Sequence, residues 1–345
     1  MAKYYFDQDA DLKDIAGETI AIIGYGNQGR SQALNLRDSG ASVIVGSPRD
    51  LSATCAAEDG FTVYPISEAV RQADILFLLL PDEALPAVYA KEIGPYLSSG
   101  MLLNFAHGYN IHYKHIEPPS AVDVIMIGPR MIGRGVRDTF VRGHGFPSLV
   151  AIHQDATGRA KARMLALAKG IGTTRMGAIE SSFREETEID LFSEQSADIH
   201  IPRLMFEVLT EAGFDPDVAI LEIYASGELS ELWAGARDLG LWHQLKLHSR
   251  TSQYGQQITG KQWLDFEGAK EQFRKVINHI RSGEFEKEWT AEEAAGCRNL
   301  IAVTDENLKH PMQIVENRLY RMLGRRNYDL QDAYWLKGNS EPGKS

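Results

Sequence analysis

Cysteine is nearly absent from this sequence, which contains two, Cys55 and Cys297. They form neither a disulfide framework nor a metal-ligand spacing, so we expect a reducing environment. Long apolar runs are also lacking: the longest, Ile75 to Pro81, has the length of a buried strand and not of a membrane span. The first residues, MAKYYFD, lack the apolar segment of a signal peptide. These absences predict a cytoplasmic protein that does not enter a membrane.

Basic residues are fewer than acidic ones, with 36 Lys and Arg against 47 Asp and Glu and a formal net charge of −11. This balance argues against a nucleic-acid surface and is compatible with an enzyme that acts on a small molecule. A length of 345 residues with 43% hydrophobic content is enough for a full core and indicates about two domains.

The order of apolar segments predicts an α/β fold. Short apolar strands alternate with helical patterns over the first half, which is typical of a doubly wound, Rossmann-type parallel sheet. The predicted strands are Thr19–Ile23, Ser42–Val45, Ile75–Leu80, Leu102–Phe105, Val122–Ile127 and Ser148–Ile152. Helical periodicity alone continues after Glu180, which predicts an all-helical C-terminal domain. The expected domains are 1–180 and 181–330, followed by a flexible polar tail at 331–345.

A glycine-rich turn follows the first of these strands. The strand leads directly into G-x-G-x-x-G at Gly24, Gly26 and Gly29, and a helix pattern follows. In such a turn the first glycine allows the tight bend, the second admits a pyrophosphate, and the third lets helix and strand pack closely. The helix N-terminus then offers N–H groups to the phosphates. The turn residues, Gly24, Tyr25, Gly26, Asn27, Gln28 and Gly29, are therefore predicted to bind a dinucleotide.

The choice between NADPH and NADH depends on the end of the second strand. Ser47, Arg49 and Ser52 could hold a 2′-phosphate, whereas Asp50 would repel it. We expect NADPH on this basis, while NADH, or a solvated surface turn without a cofactor role, stays open.

Two carboxylate residues four positions apart lie near the start of the helical half. Asp190 and Glu194 would point from one helix face, where like charges are destabilising unless a cation lies between them. Oxygen ligands of this kind suit Mg²⁺. An acidic helix start, favoured by the helix dipole, would explain the same spacing.

Several motifs together resemble the short-chain class of ketol-acid reductoisomerases. They cover nearly the whole chain in order: the glycine turn, Leu80-Pro81-Asp82-Glu83, the run FAHGYNIH at 105–112, AIHQDATG at 151–158, KGIG at 169–172, the 185–195 acidic run, Tyr254-Gly255, Glu286-Lys287-Glu288-Trp289 and the 312–323 helix. The resemblance implies an NADPH-dependent enzyme of branched-chain amino-acid biosynthesis. Such an enzyme converts 2-acetolactate by alkyl migration and reduction to a 2,3-dihydroxy acid.

The resemblance also implies site residues. Two Mg²⁺ ions would bind with Asp190 as the bridging ligand and Glu194 as the second ligand, and would stabilise the developing alkoxide as Lewis acids. His107 would manage protons beside the nicotinamide. Asp82 and Gly133 would contact the cofactor, and Ser249 the substrate. A homodimer or larger homo-oligomer with a shared active site is implied.

The chain departs from the family pattern in three regions. Arg130, a catalytic candidate by position, replaces a lysine near the metals; it keeps the charge but cannot give up a proton. In the cofactor loop, Pro48, Leu51 and Ala53 replace the residue types that the family uses to hold the phosphate. The chain is about one helical turn shorter after Glu194, and Pro202 would break or restart the helix there.

Further along the helical half, the resemblance implies two metal-binding glutamates four residues apart, contributed by the partner subunit. Glu228 matches the second of them. The first falls on Tyr224 or Glu222, depending on where the match is anchored, and Glu231 is a further candidate. Glu222 and Glu228 share a face only if the helix breaks, which Gly227 would permit.

Two functions therefore stand as alternatives. One is a ketol-acid reductoisomerase with an unusual metal pocket. The other is a divergent enzyme of a specialised pathway that reduces a 2-keto acid or takes a different substrate, with the isomerase step altered or lost.

Overall fold

The computed structural model describes residues 2–196 and 199–325, and the predicted tail at 331–345 lies outside them. Among these residues the chain forms two compact units, with the division between Asp190 and Leu191. The boundary falls inside one helix, Phe183–Gln195, so the two units share a continuous element. None of the described helices is long and apolar enough to cross a membrane.

The first unit is built on a nine-stranded sheet. Its strands are β1 Tyr4–Tyr5, β2 Thr19–Ile23, β3 Ser42–Gly46, β4 Val63–Tyr64, β5 Ile75–Leu78, β6 Leu102–Phe105, β7 Asp123–Pro129, β8 Ser148–Gln154 and β9 Ala178–Glu180, in the spatial order β1-β9-β8-β7-β6-β5-β2-β3-β4. The order reverses at β2, which pairs in parallel with both β3 and β5. The carboxyl ends of β2 and β5 therefore flank the switch point at which open α/β sheets bind ligands.

Helices cover both faces of this sheet. They are α1 Asn27–Asp38, α2 Leu51–Glu58, α3 Ile66–Gln72, α4 Leu85–Val88, α5 Tyr109–His112, α6 Gly133–Val141, α7 Ala160–Ile171 and the first part of α8 Phe183–Gln195. Alternate residues of each central strand enter two separate apolar cores: Ile20 and Ile22 one, Ala21 and Ile23 the other. Burial on both faces explains why these strands read as continuous apolar runs.

The structure confirms the Rossmann-type sheet and corrects some of its details. Two pairings are antiparallel, β7 with β8 and β1 with β9, where only parallel strands were expected. The short strands β1, β4 and β9 were not predicted, because two or three residues carry no readable periodicity.

The second unit is helical in its described part. Its helices after α8 are α9 His200–Glu211, α10 Pro216–Ile220, α11 Glu228–Leu239, α12 Arg250–Tyr254, α13 Gly260–Trp263, α14 Phe266–Arg281, α15 Glu284–Ala294, α16 Arg298–Lys309 and α17 Pro311–Met322, with π-helical turns at Leu221–Ala225 and Gly255–Thr259. Helix α9 restarts at His200 with Pro202 in its first turn, as predicted. The break that Gly227 would permit is present: Gly227 has a φ of +92° and precedes α11.

The core of the second unit is small. Its buried apolar cluster comprises Phe206, Ala219, Ile220, Ala225 and Leu319. Large apolar side chains lie on its surface, with Trp233, Trp242 and Trp263 between 59% and 83% exposed. Monomeric proteins rarely leave so many large aromatic side chains in water.

Candidate active site

The glycine turn has the close contacts that its sequence predicts. Gly24 has a φ of +94°, and a Cβ on Gly29 would lie 2.0 Å from the carbonyl oxygen of Gly24. Only glycine is compatible with both positions. By contrast, a Cβ on Gly26 would meet nothing within 4 Å, so open space lies beside the backbone at the start of α1. That space, at a helix N-terminus, suits a pyrophosphate.

The other residues of the turn have mainly structural contacts. Tyr25 is buried and its hydroxyl donates to Asp59 at 2.8 Å, which leaves its backbone for a cofactor. Gln28 donates to the carbonyl of Met131 at 2.9 Å. A Cβ on Gly133 would lie 2.3 Å from the carbonyl oxygen of Asn27, so the start of α6 packs directly against the turn. Their assignment to the cofactor stays a prediction.

The loop after β3 contains both candidate phosphate ligands and the opposing carboxylate. Asp50 caps α2 by accepting from the backbone N–H of Ala53 at 3.0 Å, and Ser47 donates to Asp50 at 3.3 Å. Ser47 is buried by this contact, whereas Arg49 is exposed and Ser52 is partly exposed. The carboxylate is therefore held at the N-terminus of α2, one residue after the arginine that would bind a 2′-phosphate.

His107 lies directly after β6 and is held by Asp82, which follows β5. His107 Nδ1 and Asp82 Oδ2 are 2.6 Å apart, and Asn110 donates to the other oxygen of Asp82 at 3.2 Å. A cavity of about 160 Å³ is lined by both residues together with Gln28 and the 78–81 segment. The predicted site residue Asp82 therefore orients His107 in the wall of this cavity.

A carboxylate that was not singled out in the sequence lies opposite His107. Glu186 is fully buried on α8 and accepts from the backbone N–H of Gly108 at 2.7 Å. A Cβ on Gly108 would lie 2.4 Å from the carbonyl oxygen of Phe183, so the start of α8 packs closely against this loop. The sequence contained a signal for this residue, because Glu186 and Asp190 are four residues apart, the same spacing that separates Asp190 from Glu194.

Arg130 bridges two of these carboxylates. Its Nη2 donates to Glu186 Oε1 at 2.7 Å and its Nη1 to Asp190 Oδ1 at 2.6 Å. The residue follows β7, and its Nε donates to the carbonyl of Gly128 at 3.3 Å. Four segments thus converge at the carboxyl ends of neighbouring strands: the loops after β5, β6 and β7, and the first turns of α8.

The charges of the cluster change the pKa values of its members. Burial lowers the pKa of His107, but the hydrogen bond to Asp82 and the negative charges of Asp82, Glu186 and Asp190 outweigh it and raise the pKa to about 9. Burial raises the pKa of the Glu186 carboxyl, and the positive charges of His107 and Arg130 offset this only in part. His107 is therefore an imidazolium at neutral pH in this arrangement.

The two carboxylates of the cluster are compatible with a divalent metal ion. Ligand atoms of His107, Glu186 and Asp190 all lie within 4.8 Å of one another. His107 Nε2 is buried without a hydrogen-bond partner, 3.9 Å from Glu186 Oε2 and 3.7 Å from Asp190 Oδ2. These separations are longer than a hydrogen bond, so the protonated Nε2 faces both carboxylates without bonding to either of them. Carboxylate oxygens are the ligands that Mg²⁺ prefers.

The remaining predicted ligands lie in the second unit. Glu194 is exposed one turn beyond Asp190 on α8. Glu222 and Glu228 are exposed on either side of the break at Gly227, and Tyr224 donates its hydroxyl to Glu316. Tyr224 is thus used within its own chain, which leaves Glu222 and Glu231, both exposed, as the candidates.

The substrate residue predicted from the resemblance also has a local contact. Ser249 is exposed and caps α12 by accepting from the backbone N–H of Ser252 at 3.2 Å. Its assignment to the substrate, like that of Glu194, Glu222 and Glu228 to metal, stays a prediction.

The fold and the site define a dinucleotide-dependent enzyme with a carboxylate cluster beside the cofactor cleft. The profile described as "Acetohydroxy acid isomeroreductase, NADPH-binding domain" matches residues 14–177, and "Ketol-acid reductoisomerase, C-terminal domain" matches residues 183–325.

Similar proteins agree with these matches. The "Ketol-acid reductoisomerase (NADP(+))" of Caldivirga maquilingensis is 43% identical over 94% of this chain and 99% of that protein. The enzyme of the same name from Methanopyrus kandleri is 44% identical over the same shares. The solved structure of an NADH-preferring ketol-acid reductoisomerase from an uncultured archean has a TM-score of 0.88 and 35% identity, covering 92% of this chain and 98% of that one.

The chain therefore belongs to the ketol-acid reductoisomerase family, and it is an NAD(P)H-dependent enzyme of that family. The comparisons give no support to the alternative of a divergent 2-keto acid reductase.

Proposed function

We propose that this chain catalyses alkyl migration in a 2-acetolactate-type substrate and then reduces the product to a 2,3-dihydroxy acid. The observation that carries the proposal is the cluster of His107, Glu186 and Asp190, whose ligand atoms lie within 4.8 Å of one another beside the cleft. Bound Mg²⁺ supplies positive charge for the oxygen atoms of the substrate, and bound NAD(P)H supplies the hydride.

The side chains of the cluster divide the remaining tasks. Asp82 fixes the ring of His107 through Nδ1, so that Nε2 faces the carboxylates. The raised pKa of His107, about 9, keeps a proton on Nε2 that can be given to a substrate oxygen. Arg130 holds positive charge next to Asp190 but cannot exchange a proton at any accessible pH. We therefore assign proton transfer to His107 and charge stabilisation to Arg130.

We assign the cofactor to the glycine turn and infer a preference for NADPH. Gly26 leaves open space for the pyrophosphate, and exposed Arg49 presents a fork of donors that matches a 2′-phosphate. Asp50 opposes this preference, and the NADH-preferring relative shows that both outcomes occur among similar proteins.

We infer that the active unit is a homodimer or larger oligomer in the cytoplasm, with a site shared between chains. The support is the small core of the second unit and its exposed tryptophans, which a second copy would cover. Glu222 and Glu228 are exposed in the single chain and would be contributed to the partner's site. Cys55 and Cys297 do not form a disulfide with each other, in keeping with a reducing compartment.

The test is substrate-dependent oxidation of NADPH with Mg²⁺ present, measured by the absorbance of the reduced nicotinamide. The native protein should turn over both 2-acetolactate and the rearranged 3-hydroxy-2-keto acid, and mass spectrometry should detect a 2,3-dihydroxy acid. Turnover of the second substrate alone would contradict the isomerase step, and turnover of neither would contradict the whole proposal. Asp138→Asn, at an exposed ion pair with Arg134, is the control and should behave as the native protein.

A further inference from the structure

Asp59 joins the end of α2 to the glycine turn and to α1. It is the residue that follows α2, and its side chain is 17% exposed. Its Oδ2 accepts from the hydroxyl of Tyr25 at 2.8 Å and from Nε of Arg30 at 2.7 Å, and its Oδ1 accepts from Nη2 of Arg30 at 2.9 Å. Tyr25 lies between the first two glycines of the turn, and Arg30 lies in the first turn of α1. One carboxylate therefore holds both parts of the predicted pyrophosphate site.

The ring of Tyr25 is held at a second point by Phe61. The two rings pack edge to face with 5.7 Å between their centres, and Tyr25 is only 1% exposed. Arg37 of α1 lies over the same phenylalanine at 4.8 Å and donates to the carbonyl oxygen of Asp59 at 2.6 Å. Because the tyrosine is fixed by its ring and by its hydroxyl, the peptide groups on either side of it are fixed as well.

The carboxylate of Asp59 is ionised at neutral pH. Burial raises the pKa of this carboxyl, but the hydrogen bonds from Arg30 and Tyr25 and the positive charges of Arg30 and Arg37 outweigh burial and lower the pKa. Hydrogen bonds to an ionised acceptor are stronger than those between neutral groups. The contact is therefore strong enough to determine how the turn is placed.

Asp59 is too far from the 2′-phosphate loop to act on it directly. Arg49 lies before α2 and Asp59 lies after it, so the helix Leu51–Glu58 separates them. Eight helical residues span about 12 Å. An effect of Asp59 on the cofactor would therefore act through the glycine turn and α1, which face the part that NADPH and NADH have in common.

We propose that Asp59 is a positioning residue for the cofactor, which holds the glycine turn through Tyr25 and Arg30 in the form that binds the pyrophosphate. The inference rests on the proposed function in placing the pyrophosphate at this turn. A turn that adopts the binding form for only part of the time lowers the apparent affinity by that fraction. Loss of the contact should therefore weaken NADPH and NADH by the same factor, whereas Arg49 distinguishes between them.

The experiment is a fluorescence titration of the full-length protein with NADPH and with NADH, well below the melting temperature of each variant. Tyr25→Phe removes only the hydroxyl and should raise both dissociation constants by about threefold to tenfold. Asp59→Ala also releases Arg30 and should raise both by about tenfold or more. The double variant should bind no more weakly than Asp59→Ala alone, because both substitutions break the same contact.

Tyr5→Phe is the matched control. The hydroxyl of Tyr5 also donates to a carboxylate, that of Glu180, but this contact joins β1 and β9 at the edge of the sheet. The control should bind both cofactors as the native protein does.

Three results would overturn the proposal alone. Native affinity in Tyr25→Phe and Asp59→Ala, even with lower melting temperatures, would show that the contact only stabilises the fold. A loss confined to NADPH would place the effect at the 2′-phosphate, and additive losses in the double variant would show that the two residues act separately. If the native protein bound neither cofactor, the cofactor site of the proposed function would fail and this inference with it. Turnover plays no part in the measurement, so these failures are distinguishable from a failed reductoisomerase activity.

Discussion

At the scale of single residues, cofactor preference depends on Arg49 and Asp50, two opposite charges at the start of α2. Arg49→Ala should weaken NADPH binding by about tenfold, because charge-assisted hydrogen bonds to a phosphate contribute roughly 1.5–3 kcal/mol. NADH lacks that phosphate and its affinity should change by less than about twofold. Fluorescence titration of both reduced cofactors provides the measurement.

Asp50→Asn is the companion variant, because asparagine caps a helix as well as aspartate does but carries no charge. It should improve NADPH binding and leave NADH and the stability of α2 nearly unchanged. Equal losses for both cofactors in Arg49→Ala would show that Arg49 does not hold the 2′-phosphate.

The pKa of His107 links this residue to stability. Because the pKa is raised to about 9 in the folded chain, the folded state holds a proton that the unfolded state releases near the ordinary value of 6.5. The stabilisation is fully present below pH 6.5 and is lost as the pH rises towards 9. Its size is at most about 3.5 kcal/mol, from the free energy of roughly 1.4 kcal/mol per pKa unit.

Urea unfolding of the metal-free protein at a series of pH values measures this effect. The native protein should lose stability between pH 6.5 and 9, whereas His107→Gln should give a flatter profile over the same interval. Parallel profiles would mean that the contacts of His107 with Asp82 and the α8 carboxylates do not hold its proton.

At the scale of elements, the turn between β2 and α1 contains a position, Gly26, where a substitution should change cofactor binding without destabilising the fold. Gly26 is the N-cap of α1, with open space at its missing Cβ, so aspartate there should cap the helix without a steric conflict. The same carboxylate would face the pyrophosphate. Gly26→Asp should weaken cofactor binding by about 100-fold or more, since like charges in an interface cost several kcal/mol.

Gly26→Ser is the matched control, because serine caps equally well and is uncharged. It should lose less than about tenfold in affinity, and both variants should melt at or above the native temperature. Native-like cofactor binding in Gly26→Asp would place the pyrophosphate elsewhere.

At the scale of the whole molecule, metal binding should stabilise the folded chain by mass action. At a Mg²⁺ concentration 100 times the Kd, the gain is about 2.7 kcal/mol, visible as a rise in melting temperature. Asp190→Asn should abolish this rise and change NADPH affinity by less than about twofold, since the two sites share no ligand. Asp138→Asn should keep the rise, and a melting temperature indifferent to Mg²⁺ in the native protein would contradict a metal site.

A shared active site can be tested by mixing inactive chains. Asp190→Asn and Glu228→Gln should each be inactive, but a mixed dimer would contain one intact site. After unfolding and refolding together, an equal mixture should recover about a quarter of native activity, since half of the dimers are mixed and each has one active site of two. No recovery would place both ligands in one chain's site, and light scattering of each variant checks that the oligomer persists.

The sequence by itself determined the features that are local along the chain. These features are the glycine turn, the central strands and the change to helices at about residue 180. They could be predicted because periodicity and turn chemistry act over a few residues. The spacing of Asp190 and Glu194 likewise follows from helix geometry. The family was recognisable because these local motifs occur in order over nearly the whole chain.

The tertiary structure alone decided which charges meet. Residues 82, 107, 130 and 186 are far apart in sequence and converge because neighbouring strands end at one edge of the sheet. Glu186 was overlooked beside Asp190 because helix periodicity does not say which carboxylate is buried, and burial depends on how α8 packs against the loop at Gly108. The hydrogen bonds of Arg130 with Glu186 and Asp190 also depend on packing. They form only because the fold brings the loop after β7 and the first turns of α8 within hydrogen-bond distance of each other.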